Sequence, residues 1–462
     1  MGKSFFVALG CVSLVFFFVP LVNGGLNKAA GTPDGSEKWG YVEVRPKAHM
    51  FWWYYKSPYR TQDPNNPWPI VLWLQGGPGA SGVGFGNFQE IGPLDTFLKP
   101  RKSTWLQKAD LLFVDNPVGS GYSFVEEEKL LVKTDVEAAT DLTTLLIEIF
   151  NRNETLQKSP LYIVAESYGG KFAVTLGLAA LKAIEDQRLK LILGGIALGD
   201  SWISPEDFVE SWGPLLKDVS MIDDVGLIKA SRLVEKIKLQ ISNGKFNDAT
   251  RTWSDLEGVV SERSNFVDFY NFLLQSIREP TSLESTEVAR VNTKKTYITY
   301  FDSLKTYLSE NGDLGQLMNG AIRMKLGIIP NDVKWGAQWS LVFRYLEGDF
   351  MRPRINEVDE LLSKGVNVFI YNGQLDVICS TKGTEAWVNK LKWKGLKTFL
   401  SIKRTPIYCG HASIFKPSKG FTKSYQNLHF YWILGAGHMV PIDQPCIALE
   451  MVGNLTRSHL TT

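Results

Sequence analysis

The segment Ala165-Glu166-Ser167-Tyr168-Gly169, placed directly after the apolar run at 161–164, constrains the fold more than any other part of the chain. A strand that turns at a serine into a helix, with small residues two positions away on each side, is the pattern of a nucleophile elbow. Only small flanking residues fit so tight a turn, which lifts the serine hydroxyl above the sheet. Ala165 stands where the first glycine is usual, so the match is A-x-S-x-G. Five-residue patterns recur by chance, and the weight of this one depends on its surroundings.

Those surroundings are alternating strands and helices. Apolar runs at 70–74, 111–115, 161–165 and 194–198 suit buried strands. Between the second and third, residues 134–150 place Val136, Leu142, Leu145, Leu146 and Ile149 on one helical face. Repeated strand–helix–strand units predict a mostly parallel, doubly wound sheet. From 201 to about 339 helical spacing takes over: Leu227, Ala230, Val234, Ile237 and Ile241 follow Asp223 and Asp224, which suit an N-cap. Strand-like runs resume at 366–371, 398–403 and 428–434. The length of 462 residues holds one large domain with an insertion, or two to three smaller ones. The simplest division is an α/β core over 25–200 and 341–462 interrupted by a helical insertion over 201–340.

A serine nucleophile needs a base for its proton and an acid to hold that base in one tautomer. On an α/β-hydrolase sheet the order is Ser, then Asp or Glu, then His, each just past a strand. Asp376 follows the run at 366–371 through Asn372-Gly373-Gln374-Leu375, and His438 follows the run at 428–434 through Gly435-Ala436-Gly437. Both lie in loops where open α/β sheets place their sites. An isolated loop histidine is more often a surface residue; His438 rises above that because Ser167 and Asp376 precede it in order. Of the five histidines, His49 and His429 sit in strand runs and read as structural, and His459 lies in the tail. His411 stands beside Cys409, but Cys-x-His alone lacks metal-ligand spacing.

A glycine-rich loop, Gln75-Gly76-Gly77-Pro78-Gly79-Ala80-Ser81-Gly82, follows the run at 70–74. Gly77 to Gly82 match G-x-G-x-x-G, but no acidic residue ends a second strand about twenty residues on, which excludes a dinucleotide site. The better reading is an oxyanion loop, whose glycines let backbone approach the substrate. Gly77 would supply one N–H and Tyr168, immediately after the serine, the other.

The N-terminus reads as an address. Lys3 precedes an apolar run from Phe5 to Val22 broken by Pro20, and Asn23-Gly24-Gly25 follow; residues 1–24 fit a signal peptide cleaved after Gly24. The competing reading is an uncleaved anchor. No later run is long and apolar enough to span a bilayer. Cys379, Cys409 and Cys446 remain after the leader, enough for one internal disulfide at most. Asn153 and Asn454 head N-x-T sequons that a secretory route would expose to glycosylation. The net charge of +2 shows no excess favouring nucleic acid.

Several blocks resemble the serine carboxypeptidase family: Trp73-Leu74-Gln75-Gly76-Gly77-Pro78-Gly79, Asp115-Asn116-Pro117-Val118-Gly119-Ser120-Gly121-Tyr122-Ser123, Glu166-Ser167-Tyr168-Gly169-Gly170-Lys171, Gly199-Asp200-Ser201-Trp202-Ile203-Ser204-Pro205 and Gly437-His438-Met439-Val440-Pro441. They are long, correctly ordered and spread over most of the chain. The resemblance implies a helical cap on an α/β-hydrolase fold and a pocket for the substrate's terminal carboxylate. In the family that pocket uses a Trp, an Asn and two Glu residues; the matching positions are Trp73, Gln75, Glu90 and Glu166. Gln75 replaces the family's usual Asn, and Ala80 replaces a common disulfide cysteine. Two close carboxyls cannot both ionise cheaply, so the glutamates should share a proton. A protonated carboxyl can donate to a substrate carboxylate, which predicts an enzyme favouring acidic pH.

The expected activity is therefore removal of C-terminal residues from peptides or proteins with a free C-terminus, on Ser167, Asp376 and His438, without metal or organic cofactor. The expected setting is the secretory pathway, secreted or lysosomal, with no stable membrane insertion once the leader is gone. Relatives are often homodimers; the sequence leaves assembly open. It also leaves open an esterase or lipase, an acyltransferase on the same triad, and a mainly non-catalytic binding protein. The Arg- and Lys-containing stretch 278–305 is a candidate for processing within the cap.

Overall fold

Ile70–Leu74 is buried at every position, as a strand covered on both faces must be. It is β4 of one mixed sheet in a computed structural model that describes residues 29–61, 63, 67–275, 313–410 and 417–456. The expected leader at 1–24, the stretch 278–305, His411 and His459 lie outside the described residues. The other strands are β1 (Ala29–Gly31), β2 (Glu37–Arg45), β3 (Ala48–Tyr55), β5 (Asp110–Val114), β6 (Phe124–Val125), β7 (Pro160–Glu166), β8 (Ile192–Gly199), β9 (Val368–Gly373), β10 (Thr405–Ile407), β11 (Gly420–Tyr425) and β12 (Leu428–Ile433).

The order is β1-β2-β3-β5-β4-β7-β8-β9-β12-β11-β10, with β6 on β3. The centre is parallel, from β5 through β4, β7, β8 and β9 to β12, and antiparallel strands extend both edges. After β4 the chain moves outward to β5, then returns to place β7 on the other side of β4. That reversal opens a crevice at the carboxyl ends of β4 and β7, where ligands of open α/β sheets bind.

Helices Asp135–Phe150 and Gly169–Glu185 pack on each other beside the sheet. Thr134 caps the first, accepting from the Glu137 N–H. Leu142, Leu145 and Leu146 are buried as their spacing requires, but Val136, expected on the same face, is 54% exposed. It lies in the first turn, where the apolar stripe has not yet reached the sheet. Between β8 and β9 the elements among the described residues are helices, beginning with Pro205–Asp218, Asp224–Ser242 and Phe246–Arg263. In the second of these Asp223 caps the start and Ala230, Val234, Ile237 and Ile241 are buried; Leu227 is only partly so.

The pattern at 398–403 suits a strand, but Leu396–Ser401 is a helix and the edge strand is Thr405–Ile407. Leu396 and Phe399 are three apart, only Phe399 is fully buried, and Leu400 is 43% exposed. A strand inside the sheet would have covered both faces; one helical turn covers one. Of the three remaining cysteines, Cys409 and Cys446 form a disulfide and Cys379 is free and buried.

Candidate active site

Ser167 sits at φ 61°, a left-handed backbone that a serine adopts only where its neighbours hold it there. They do: its N–H donates to the Gly199 carbonyl at 3.1 Å, and its carbonyl accepts the N–H groups of Trp202 at 2.9 Å and Gly170 at 3.0 Å. The elbow is thus tied to the end of β8 and to the first turn of helix Gly169–Glu185. Ser167 stays partly accessible while Glu166 and Tyr168 on either side are buried.

The glycine loop after β4 touches this elbow. A Cβ on Gly76 would fall 2.5 Å from Ser167 Cβ and 2.8 Å from the Tyr168 nitrogen, so only glycine fits. Gly77 follows at φ 107°, a conformation costly for any other residue. The backbone of 76–77 and the Tyr168 N–H therefore share one wall beside the serine.

Asp376 and His438 meet from β9 and β12. His438 Nδ1 lies 2.8 Å from Asp376 Oδ2, and both are buried. Asp376 Oδ1 accepts the Cys379 N–H at 3.1 Å. A strap from the segment between β8 and β9 holds both loops: Tyr270 carbonyl accepts the His438 N–H at 2.7 Å, and Phe269 carbonyl accepts Val377 and Ile378 at 3.0 Å each. The strap and its reach to His438 left no mark in the sequence pattern. No hydrogen bond joins Ser167 to His438; His438 Nε2 is buried and lacks a partner among the described residues. Unliganded sites often tighten such contacts only when substrate binds.

Asp376, Cys379 and His438 also bring one oxygen, one sulfur and one nitrogen within 4.8 Å of one another. The trio does not present itself as a metal centre. Oxygen and nitrogen are bonded to each other, and burial, then Asp376, pushes the Cys379 thiol well above its ordinary range.

The four residues matched to a carboxylate pocket form one chain. Trp73 Nε1 donates to Gln75 Oε1 at 2.6 Å, and Gln75 Nε2 donates to Glu166 Oε1 at 2.8 Å. Glu90 lies in the wide, π-type helix Gly82–Ile91 and meets Glu166 directly. Gly86, one turn earlier, lets the Trp73 indole lie against this helix: a Cβ there would be 2.3 Å from the ring. Burial pushes both glutamates above the usual carboxylate range; for Glu166 the charge of Glu90 adds to burial and the shift is large. Glu90 Oε2 and Glu166 Oε2 have no donor among the described residues. One proton between the carboxyls would serve both.

Beneath the elbow lies a second buried network. Lys171 is fully buried 3.2 Å from Asp349 and 3.9 Å from Asp135, Tyr168 Oη donates to Asp349 at 2.9 Å, and Arg354 pairs with Asp135. The sequon residues are elsewhere: Asn153 caps helix Glu154–Lys158, and Asn454 is exposed on helix Pro445–Thr456. Of the two histidines read as structural, His49 Nε2 meets Glu126 at 3.0 Å and His429 stacks on Phe369.

A serine elbow, a histidine–aspartate pair and a glycine loop at one end of a mixed sheet define a serine hydrolase of the α/β-hydrolase fold. The chain belongs to the serine carboxypeptidase family, whose model matches residues 28–458. It is 63% identical to serine carboxypeptidase-like 51 of Arabidopsis thaliana over 432 residues, covering 92% of this chain and 93% of the relative. It is 46% identical over 457 residues to the retinoid-inducible serine carboxypeptidase of Mus musculus, covering 97% and 99%. Among solved structures it is similar to a prohormone-processing carboxypeptidase of Saccharomyces cerevisiae, with a TM-score of 0.75, 19% identity and 91% of each chain covered. No helix among the described residues is long and apolar enough to cross a membrane.

Proposed function

We propose that this serine carboxypeptidase removes single residues from the C-termini of peptides through an acyl-enzyme on Ser167. His438 Nε2 takes the Ser167 proton as Oγ bonds to the last peptide carbonyl, and Asp376 holds the imidazole in the productive tautomer. The N–H groups of Gly77 and Tyr168 receive the oxyanion. His438 then protonates the leaving amine as the C–N bond breaks, and water hydrolyses the ester by the same route in reverse.

The observation that carries exopeptidase action is the chain Trp73–Gln75–Glu166–Glu90, because Glu166 is the residue immediately before the nucleophile. A terminal carboxylate gripped there sets its own scissile bond beside Ser167. The grip needs a proton: with one carboxyl neutral the pair donates, and with both ionised it repels the substrate. This supports acidic working conditions.

The leader at 1–24, the sequons at Asn153 and Asn454 and the Cys409–Cys446 disulfide support a secretory route ending outside the cell or in an acidic compartment. The test is a defined peptide library incubated at acidic pH and read by mass spectrometry. Stepwise terminal loss supports the reading, and internal cleavage or none opposes it.

A further inference from the structure

Gly199-Asp200-Ser201 ends β8 between the elbow and the β9 loop, and the mechanism above gives Asp200 no task. Its side chain is fully buried, and its backbone holds φ 40°. Both of its ties run to β9, the strand that delivers Asp376: its N–H donates to the Tyr371 carbonyl at 2.9 Å, and its Oδ1 accepts the Gly373 N–H at 2.8 Å. Its other oxygen, Oδ2, has no donor among the described residues. Asp376, whose oxygens already accept from Cys379 N–H and face His438 Nδ1, is the first charged group acting on its carboxyl.

We propose that Asp200 is a positioning residue that keeps a proton and donates it in a hydrogen bond to Asp376, fixing that carboxylate and moderating the charge it presents to His438. This rests on the reading of Ser167, His438 and Asp376 as the reacting set. The physical reason is the surroundings. The groups around Asp200 are Asp376 and Asp443 from the catalytic loops, Glu166 from β7, the Tyr371 phenol from β9 and the Cys379 thiol, with His438 beyond Asp376. Two ionised carboxylates in so buried a place would repel, whereas a carboxylic acid beside a carboxylate attracts. Burial, then the charge of Asp376, pushes Asp200 well above the usual carboxylate range, in the same direction.

The consequence bears on working pH. A donor on Asp376 draws off part of the charge that Asp376 presents to the imidazolium, which weakens its hold on the proton. A carboxypeptidase whose substrate grip needs acid gains from a base that still works there.

The test is the rate of labelling by diisopropyl fluorophosphate as a function of pH. The probe is neutral and has no carboxylate, so the Glu90–Glu166 pair does not enter. Asp200→Ala removes the donor, and the inflection of the rate profile moves up by about one unit, slowing labelling about tenfold on the acidic side. Asp200→Asn keeps an N–H donor and restores the wild-type inflection. An unmoved inflection in Asp200→Ala overturns the proposal. So does a lowered one in Asp200→Asn, because that shows that an ionised carboxylate was removed. Should Asp200→Ala not fold, the infrared difference between wild type and Asp200→Asn decides: the wild type shows a protonated-carboxyl band that the variant lacks, and no band overturns the proposal. Labelling that persists in Ser167→Ala would instead strike the underlying triad.

Discussion

Asp376 Oδ2 and His438 Nδ1 lie 2.8 Å apart across 62 residues of sequence, both buried, with a backbone donor on each loop already committed. The pair fixes which imidazole nitrogen faces outward. Asp376→Asn offers an amide in place of the acceptor, favours the wrong tautomer, and should lower kcat by about 10⁴-fold with little change in fold. Steady-state kinetics with unfolding as a control checks this; a loss below about tenfold contradicts the assignment.

Glu166→Gln mimics the neutral acid permanently. Burial and then Glu90 raise Glu166 in the wild type, so its proton is lost as pH rises and the KM for a free-carboxylate peptide should climb. In the variant that climb should flatten. The same sign governs stability: a raised carboxyl stabilises the fold below its ordinary value of 4.5 and ceases to do so as pH rises through the folded value. Thermal unfolding followed from acid to neutral pH should therefore show a shallower decline in Glu166→Gln.

Gln75→Ala removes the amide between Trp73 Nε1 and Glu166 Oε1, leaving both buried groups without that partner. The expected loss in kcat/KM for a free-carboxylate peptide is about tenfold, in the range of an orphaned buried polar group. Labelling of Ser167 by a neutral organophosphate should change far less, which separates a binding effect from a collapsed site.

Lys171→Met removes one of the two buried cations, Lys171 and Arg354, that pair with Asp349 and Asp135; the Lys171, Asp349 and Asp135 side chains are at most 1% exposed. Removing one partner of such a network costs about 3 kcal/mol or more. Urea unfolding monitored by fluorescence measures it. Because Tyr168 Oη bonds Asp349, labelling of Ser167 should slow as well.

The sequence made the parallel centre of the sheet legible because β4, β5, β7 and β8 are short apolar runs between turn residues, and Ser167, Asp376 and His438 all follow such runs. It misplaced residues 398–403, because a run with apolar residues on one side reads alike as a turn of helix and as an edge strand. The Gly76 contact with Ser167 and the Tyr270 carbonyl on His438 are long-range packing facts that no local spacing encodes. Asp200 stood in plain view after an apolar run, in the same post-strand position as Asp376. A lone acid there is unremarkable until the neighbouring strand shows what it touches.

In the proposed reaction a free terminal carboxylate, held by Glu90 and Glu166, delivers its peptide bond to Ser167. The most direct measurement compares kcat/KM at acidic pH for one peptide with its C-terminus free and the same peptide amidated, in wild type and Ser167→Ala. The free acid should be strongly preferred, and both activities should be lost in the variant. Equal rates on the two peptides, or turnover that survives in Ser167→Ala, would contradict the proposed reaction.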